Sequence, residues 1–230
     1  VWGFDDNLAG THAQYVTFRE DKGIGLMPAG VDYASAVACI EGGHYAINFL
    51  EKVRLSPESR VLVNGGTGAI GSSAIQLLKA AGIQHVTAVC GPENVARVAA
   101  LGADRVIDFS QQDFTKEDVT YDFVFDAVGK STFGACKRIL APRGVYVSSE
   151  LGPGAENLYL ALFTPLGRGK KVMFPLPVDT PRSLKRMAAL VEQGKFKPLV
   201  DRTYRLEQIR EAFTYVASGQ KIGNVLLDVG

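Results

Sequence analysis

From Val61 onward the chain settles into a rhythm. Apolar runs at 61–63, 86–89, 105–109, 122–127, 145–148 and 172–174 alternate with stretches of helical spacing at about 70–81, 93–101, 131–140 and 181–193. Runs of three to six apolar residues separated by helical patterns predict strands joined by crossover helices, which means a parallel sheet wound on both faces. The near-continuous apolarity of Val86–Val89 and Phe123-Val124-Phe125 suits strands covered on both sides. The predicted fold class is α/β, a doubly wound six-stranded parallel sheet.

The ends read differently. Residues 11–18, Thr-His-Ala-Gln-Tyr-Val-Thr-Phe, read as a strand between Gly10 and a charged turn at Arg19–Lys22. Pro28-Ala29-Gly30 punctuates, Tyr33–Ile40 reads as a short helix, Gly42-Gly43 as its interruption, and a second helix runs to about Val53 before the turn Ser56–Ser59. In the tail, Val200–Leu206 predicts a strand, Glu207–Ser218 an amphipathic helix through Ile209, Ala212, Phe213 and Val216, and Asn224–Val229 a last strand. Neither end is needed by the wound sheet. Together they predict part of a second domain: 1–30 with 199–230, around a dinucleotide-binding domain of 31–198.

One stretch carries the chemistry. Asn64-Gly65-Gly66-Thr67-Gly68-Ala69-Ile70-Gly71 follows the apolar run Val61-Leu62-Val63 and opens the first crossover helix. Gly66, Gly68 and Gly71 stand at the spacing G-x-G-x-x-G. One glycine permits the sharp turn, one the approach of a pyrophosphate, and one close packing of helix on strand. The anion would rest on the helix N-terminus, among free N–H groups, so Gly66, Thr67, Gly68, Ala69, Ile70 and Gly71 are the expected cofactor contacts.

The second strand ends at Val89-Cys90-Gly91 without the acid that binds a ribose 2'-OH in NAD-selective domains. Its absence permits NADP, with Asn94 and Arg97 placed to hold the extra phosphate and NAD as the alternative. Ala127-Val128-Gly129 ends the fourth strand near adenine or ribose; Ser148–Gly152, with Leu151, ends the fifth near the nicotinamide; Phe174 ends the sixth. Asp126 either accepts a bond from the glycine loop or caps the turn that follows it.

Composition narrows the class. Net charge is +1, which recruits neither nucleic acid nor an anionic membrane, and no apolar run approaches the ~20 residues of a membrane helix. Cys39, Cys90 and Cys136 are odd in number and form no C-x-x-C, so a reducing compartment, the cytoplasm, is expected, with no cysteine-built zinc site. Val1-Trp2-Gly3-Phe4 has no basic leader and no initiator Met, and reads as a segment of something longer.

Several motifs in order now carry a resemblance: Gly10-Thr11-His12-Ala13-Gln14-Tyr15-Val16, the glycine turn, Val86-Thr87-Ala88-Val89-Cys90, Leu101–Asp108, Phe125-Asp126-Ala127-Val128-Gly129 and Gly223-Asn224-Val225-Leu226. The chain resembles the medium-chain dehydrogenase/reductase superfamily, in its quinone-reductase-like and zinc-type alcohol dehydrogenase-like branches. The resemblance implies a Rossmann domain beside a GroES-like β catalytic domain of which most is absent here. It implies hydride transfer from NADPH to a quinone, carbonyl or activated alkene. It also implies a homodimer through the sheet edge near Val172–Phe174. Zinc-dependent relatives place a metal ligand near Glu41, which makes Glu41 a candidate ligand against the reading of a plain loop carboxylate; zinc is not expected, and the cysteine-rich structural zinc lobe of the alcohol dehydrogenases has no counterpart. His44 stands where similar proteins often carry a small or hydroxyl residue. Glu41, His44, Tyr45 or solvent are the candidates for supplying a proton to the reduced substrate. The alternatives are an inert nucleotide-binding module and a zinc-dependent alcohol dehydrogenase. A short-chain dehydrogenase is excluded by the lack of any Tyr with Lys four residues later.

Overall fold

A computed structural model describes residues 1–5, 11–19 and 23–230. Its elements are β1 (Trp2–Gly3), β2 (Ile24–Gly25), α1 (Tyr33–Leu50), β3 (Arg60–Asn64), α2 (Ala69–Ala80), β4 (His85–Cys90), α3 (Val95–Ala100), β5 (Arg105–Asp108), β6 (Tyr121–Asp126), α4 (Phe133–Cys136), β7 (Leu140–Ser148), α5 (Glu156–Phe163), β8 (Lys171–Met173), α6 (Thr180–Glu192), β9 (Val200–Arg205), α7 (Ile209–Ala217) and β10 (Asn224–Asp228).

The six expected strands form one parallel sheet in the order β5-β4-β3-β6-β7-β8. Alternate residues of each strand feed opposite faces. Val61, Val63, Val86, Ala88, Phe123 and Phe125 pack under α1, α2, α3 and α6. Leu62, Val89, Val124, Tyr146 and Val172 pack under α4 and α5 with Phe114. This is the doubly wound Rossmann arrangement, and its strand order reverses between β3 and β6. Outside the large sheet, β1 pairs antiparallel with β2, and β9 pairs parallel with β10 across α7.

Three expectations fail. Gly42-Gly43 does not interrupt a helix: α1 runs unbroken from an Asp32 N-cap, whose carboxylate accepts from the Ser35 amide at 2.8 Å, to Leu50. Both glycines are buried, and what they provide is proximity. A Cβ at Gly42 would lie 2.5 Å from the Ala69 carbonyl oxygen, and one at Gly43 2.7 Å from Met187 Sδ, so the pair seats α1 against α2 and α6.

Residues 11–18 form no strand. A strand needs a neighbour for its ladder hydrogen bonds, and no described strand pairs with these largely exposed residues. The turn residues 20–22, and Gly10 of the first motif, lie outside the described residues.

The helix expected over 131–140 is the single turn α4. Phe133, Cys136, Ile139 and Leu140 are buried at helical spacing, but Leu140 already begins β7, where it pairs with Tyr121. The apolar period there reproduces burial rather than backbone. β7 begins at Leu140, well ahead of the expected run at 145–148, and most other elements depart from expectation by a residue or two at their ends; β8, for example, stops at Met173 and leaves Phe174 beyond the strand.

Candidate functional site

The glycine turn leaves β3 at the point where the strand order reverses. Gly65 takes the left-handed backbone, with φ +85°, that makes the turn, and the Gly65 and Gly66 amides donate to the Val89 carbonyl at 3.2 and 2.9 Å. The sharp turn therefore rests on Gly65, which precedes the G-x-G-x-x-G triplet. Gly66 lies against Ile75, Val98 and Ala88. Gly71 allows helix and strand to close, since a Cβ there would sit 2.1 Å from the Gly65 carbonyl oxygen. Gly68 is different. It has φ −70° as the N-cap of α2, and a Cβ there would meet only the Gly65 oxygen, at 3.5 Å. Its open side is the cradle a side chain would fill.

Beside that cradle stand the first-turn amides of α2, Ala69, Ile70 and Gly71. A helix leaves these donors without intrahelical partners, and they lie at the positive end of its dipole. Thr67, Gly68, Ala69 and Ile70 are all partly exposed. The turn is pinned from outside as well. The Gly223 amide donates to the Thr67 carbonyl at 2.6 Å, and Gly68 and Gly223 form a parallel bridge. The Lys221 ammonium, half-buried, donates to the Gly223 carbonyl at 2.9 Å.

On the neighbouring strand Asp126 is fully buried. Its carboxylate accepts from Asn64 Nδ2 at 3.0 Å, from the Ser131 amide at 2.8 Å and from the Tyr146 hydroxyl at 3.3 Å. Asp126 thus caps the turn that follows β6 and, by accepting from Asn64 at the head of the glycine stretch, ties the ends of β3 and β6. Val128, partly exposed, faces Gly65, where an added Cβ would come within 2.8 Å of its side chain.

The end of β4 carries the next expected contacts. The Cys90 thiol is buried and pushed up to about 11, by burial first and then by the Asp108 and Glu93 carboxylates. It is a packing residue whose backbone, with Gly91, borders the crevice. Arg97 is exposed and donates to Asn94 Oδ1 at 3.3 Å, so the two residues named for a 2'-phosphate sit together. Glu93 sits there too, its Oε2 3.1 Å from where a Gly91 Cβ would lie. Phe109 is a residue the sequence reading absorbed into a strand. It follows β5, is 63% exposed, and its ring lies 3.5 Å from the Gly91 Cβ position. Its signal was a large aromatic at the carboxyl end of a strand beside the crevice.

After β7 the chain is held by short-range bonds. The Ser148 hydroxyl accepts from the Glu150 amide at 3.1 Å, and Asn157 Nδ2 donates to the Glu150 carbonyl at 2.8 Å. Leu151 is about half exposed there, and Phe174 is half-buried past β8.

The proton-transfer candidates separate. His44 is buried on α1, with Nδ1 2.9 Å from the Ser183 hydroxyl of α6 and its ring 5.3 Å from Phe4. That contact ties two helices together. Tyr45 packs edge-on against Phe49 at 6.0 Å, and Glu41 is exposed on α1. Among the described residues no three His, Cys, Asp or Glu side chains gather as a metal-binding group.

Comparisons with known proteins find relatives among reductases and dehydrogenases. The chain is 29% identical over 221 residues to 2-methylene-furan-3-one reductase of Solanum lycopersicum, covering 95% of this chain and 52% of that protein. It is likewise 29% identical over 221 residues to the chloroplastic NADPH-dependent alkenal/one oxidoreductase of Arabidopsis thaliana, covering 95% of this chain and 53% of the relative. The chain thus spans about half the length of the curated relatives it matches. A crystal structure of an NAD-dependent alcohol dehydrogenase superposes with a TM-score of 0.80 at 27% identity, over 96% of this chain and 66% of that one. A family model for zinc-binding dehydrogenases matches residues 101–227. That stretch begins just after α3, ends within β10 and takes in more than half of the sequence, so the chain belongs to the zinc-binding dehydrogenase family.

Proposed function

We propose that this chain carries the cofactor domain of an NADPH-dependent oxidoreductase that transfers hydride to a quinone, carbonyl or activated alkene. The observation that carries the reading is the glycine turn at the reversal of strand order, with the side of Gly68 open beside the first-turn amides of α2. That cradle fits a pyrophosphate, whose charge complements a helix N-terminus. The names of the two plant reductases support the cofactor and the substrate class.

When bound, a nicotinamide dinucleotide supplies the hydride, and the protein supplies orientation and electrostatics. Gly66–Gly71 hold the pyrophosphate. Val128 and the backbone of Cys90 and Gly91 flank the adenosine half, with Asn94 and Arg97 on the 2'-phosphate; Leu151 and Phe174 border the nicotinamide half. The pair Asn94–Arg97 supports NADP, and Glu93 beside Gly91 weighs towards NAD.

Residues 1–30 and 199–230 form part of a second, catalytic domain in this reading, around the dinucleotide domain of 31–198. The three buried thiols suit a reducing compartment such as the cytoplasm. Pairing of two copies would run through β8, the outermost strand of the large sheet, beside the exposed Leu162, Phe163 and Leu166.

Titration calorimetry with NADPH and NADH tests the site. The chain binds NADPH more tightly, and Gly68→Val loses at least tenfold in affinity while keeping its melting temperature, because the new side chain enters open space at an ordinary φ. Unchanged NADPH binding by the variant overturns the site assignment.

A further inference from the structure

The segment entering β10 meets the glycine turn at Gly223, which also bonds a lysine of its own segment. Gly223 bridges Gly68, its amide holds the Thr67 carbonyl, and its carbonyl holds the Lys221 ammonium. Gly68 is also the N-cap of α2. A lysine charge and the positive end of a helix dipole therefore meet across one pair of bridged residues. Unfilled, this is an unfavourable arrangement, since helix N-termini prefer anions and repel cations.

Among the described residues no carboxylate neutralises the lysine by contact. Lys221 makes no ion pair among the described residues, and its hydrogen bond goes to a neutral carbonyl. Two carboxylates face it at longer range, Glu41 from α1 and Asp201 from β9. Asp201 is already engaged: it accepts from the Tyr215 hydroxyl at 2.7 Å and the Ile222 amide at 2.9 Å and pairs with Arg202 at 3.5 Å. Burial pushes the Lys221 ammonium below the usual lysine range, while Glu41 and Asp201 pull it back. A partly desolvated cation without a counter-ion is costly, and an anion on the turn would relieve both the lysine and the helix end together.

We infer that Lys221 is a cofactor-binding residue, the cation that meets the dinucleotide's pyrophosphate at the Thr67–Gly68 turn. This rests on the function proposed above and adds a residue to it. The ammonium has three donors, so it can keep the Gly223 carbonyl and still reach a phosphate oxygen. The pyrophosphate would then be held from two sides, by the amides of α2 and by a side chain contributed from near the other end of the chain.

Calorimetry with ADP, adenosine and NADPH on the 230-residue chain, Lys221→Gln and Lys221→Arg tests the inference. Lys221→Gln weakens ADP and NADPH about tenfold, the scale of a lost charge-assisted bond, and leaves adenosine unchanged; Lys221→Arg stays within a few fold of the parent. The salt dependence of ADP binding becomes shallower in the Gln variant. Equal ADP affinity in the parent and the Gln variant overturns the inference alone, as does an equal loss for adenosine and ADP, which would mark a structural role. A measurement on the parent protein covers failure of the Gln variant to fold. Acetylation with an amine-reactive ester, read by peptide mass spectrometry, is slowed severalfold at Lys221 by ADP and not by adenosine, and absence of that protection also overturns the inference. A parent chain that binds none of ADP, NADPH and NADH overturns the proposed function, and this inference with it.

Discussion

Two glycine pairs, Gly42-Gly43 and Gly65-Gly66, look alike in the sequence and behave as opposites in the fold. The second pair turns the chain, because Gly65 occupies a left-handed backbone conformation closed to most side chains. The first pair leaves the helix straight and exists for what approaches it. The two are also in indirect contact: Gly42 lies against the carbonyl of Ala69, the first residue of the helix that the second pair introduces. A glycine pair thus reports either a backbone angle or a near neighbour, and only φ and the surroundings tell which.

Substitutions can break this comparison. The largest effect is expected at Gly71, where any Cβ meets the Gly65 carbonyl oxygen at 2.1 Å, a backbone atom fixed by the turn. Gly71→Val should cost more than about 3 kcal/mol or prevent folding, read by urea denaturation. Next comes the split within the first pair. Gly42→Ala meets backbone at 2.5 Å and should cost about 2 kcal/mol while weakening ADP binding by displacing the start of α2. Gly43→Ala meets the flexible Met187 side chain at 2.7 Å and gains about 1 kcal/mol of helix propensity, so it should fall within about 1 kcal/mol of the parent. Equal gains of about 1 kcal/mol at 42 and 43 would mean that helix propensity, and not packing, governs the pair.

The smallest expected effect is on pH dependence. Lys221 has its pKa lowered in the folded chain, so folding favours its neutral form, and its contribution to the stability of the unliganded protein improves as pH rises through the lowered value. Anion binding needs the charged form, so ADP affinity should fall over the same interval, below the usual lysine range. Of the carboxylates that face the ammonium, Asp201 is held below the usual carboxylate range despite its burial, by the Ile222 amide and the Tyr215 hydroxyl, and stays ionised throughout. Calorimetry across that interval checks the sign; an ADP affinity that rises would contradict it.

What could be read without coordinates follows the same division. The inner strands of the wound sheet were legible because they are buried on both faces, so Val86–Val89 and Phe123–Phe125 carry unbroken apolar runs, while the edge strands β5 and β8 are only half-buried. The glycine turn was legible because backbone conformation and close approach both demand the same residue. The rest depended on partners distant in sequence. Residues 11–18 alternate like a strand but no described strand pairs with them, and Phe133–Leu140 keeps helical spacing across a junction into β7. His44 could have been an acid or a packing residue from its position alone; Ser183, far along the chain, makes it a tie between helices. Lys221 had no local motif: it bonds Gly223, and the turn that Gly223 meets, Thr67 and Gly68, lies far away in the sequence.

The hydrogen bond from Gly223 to Thr67 sets an order of events during synthesis. The nucleotide loop emerges from the ribosome long before the strand that fastens it, so the nascent chain can wind its sheet while the loop still lacks its last restraint. A dinucleotide on that loop would meet the fastened turn only once Gly223 has arrived. By thermodynamic reciprocity, a bound cofactor would in turn hold that C-terminal strand in place and shield it from proteases.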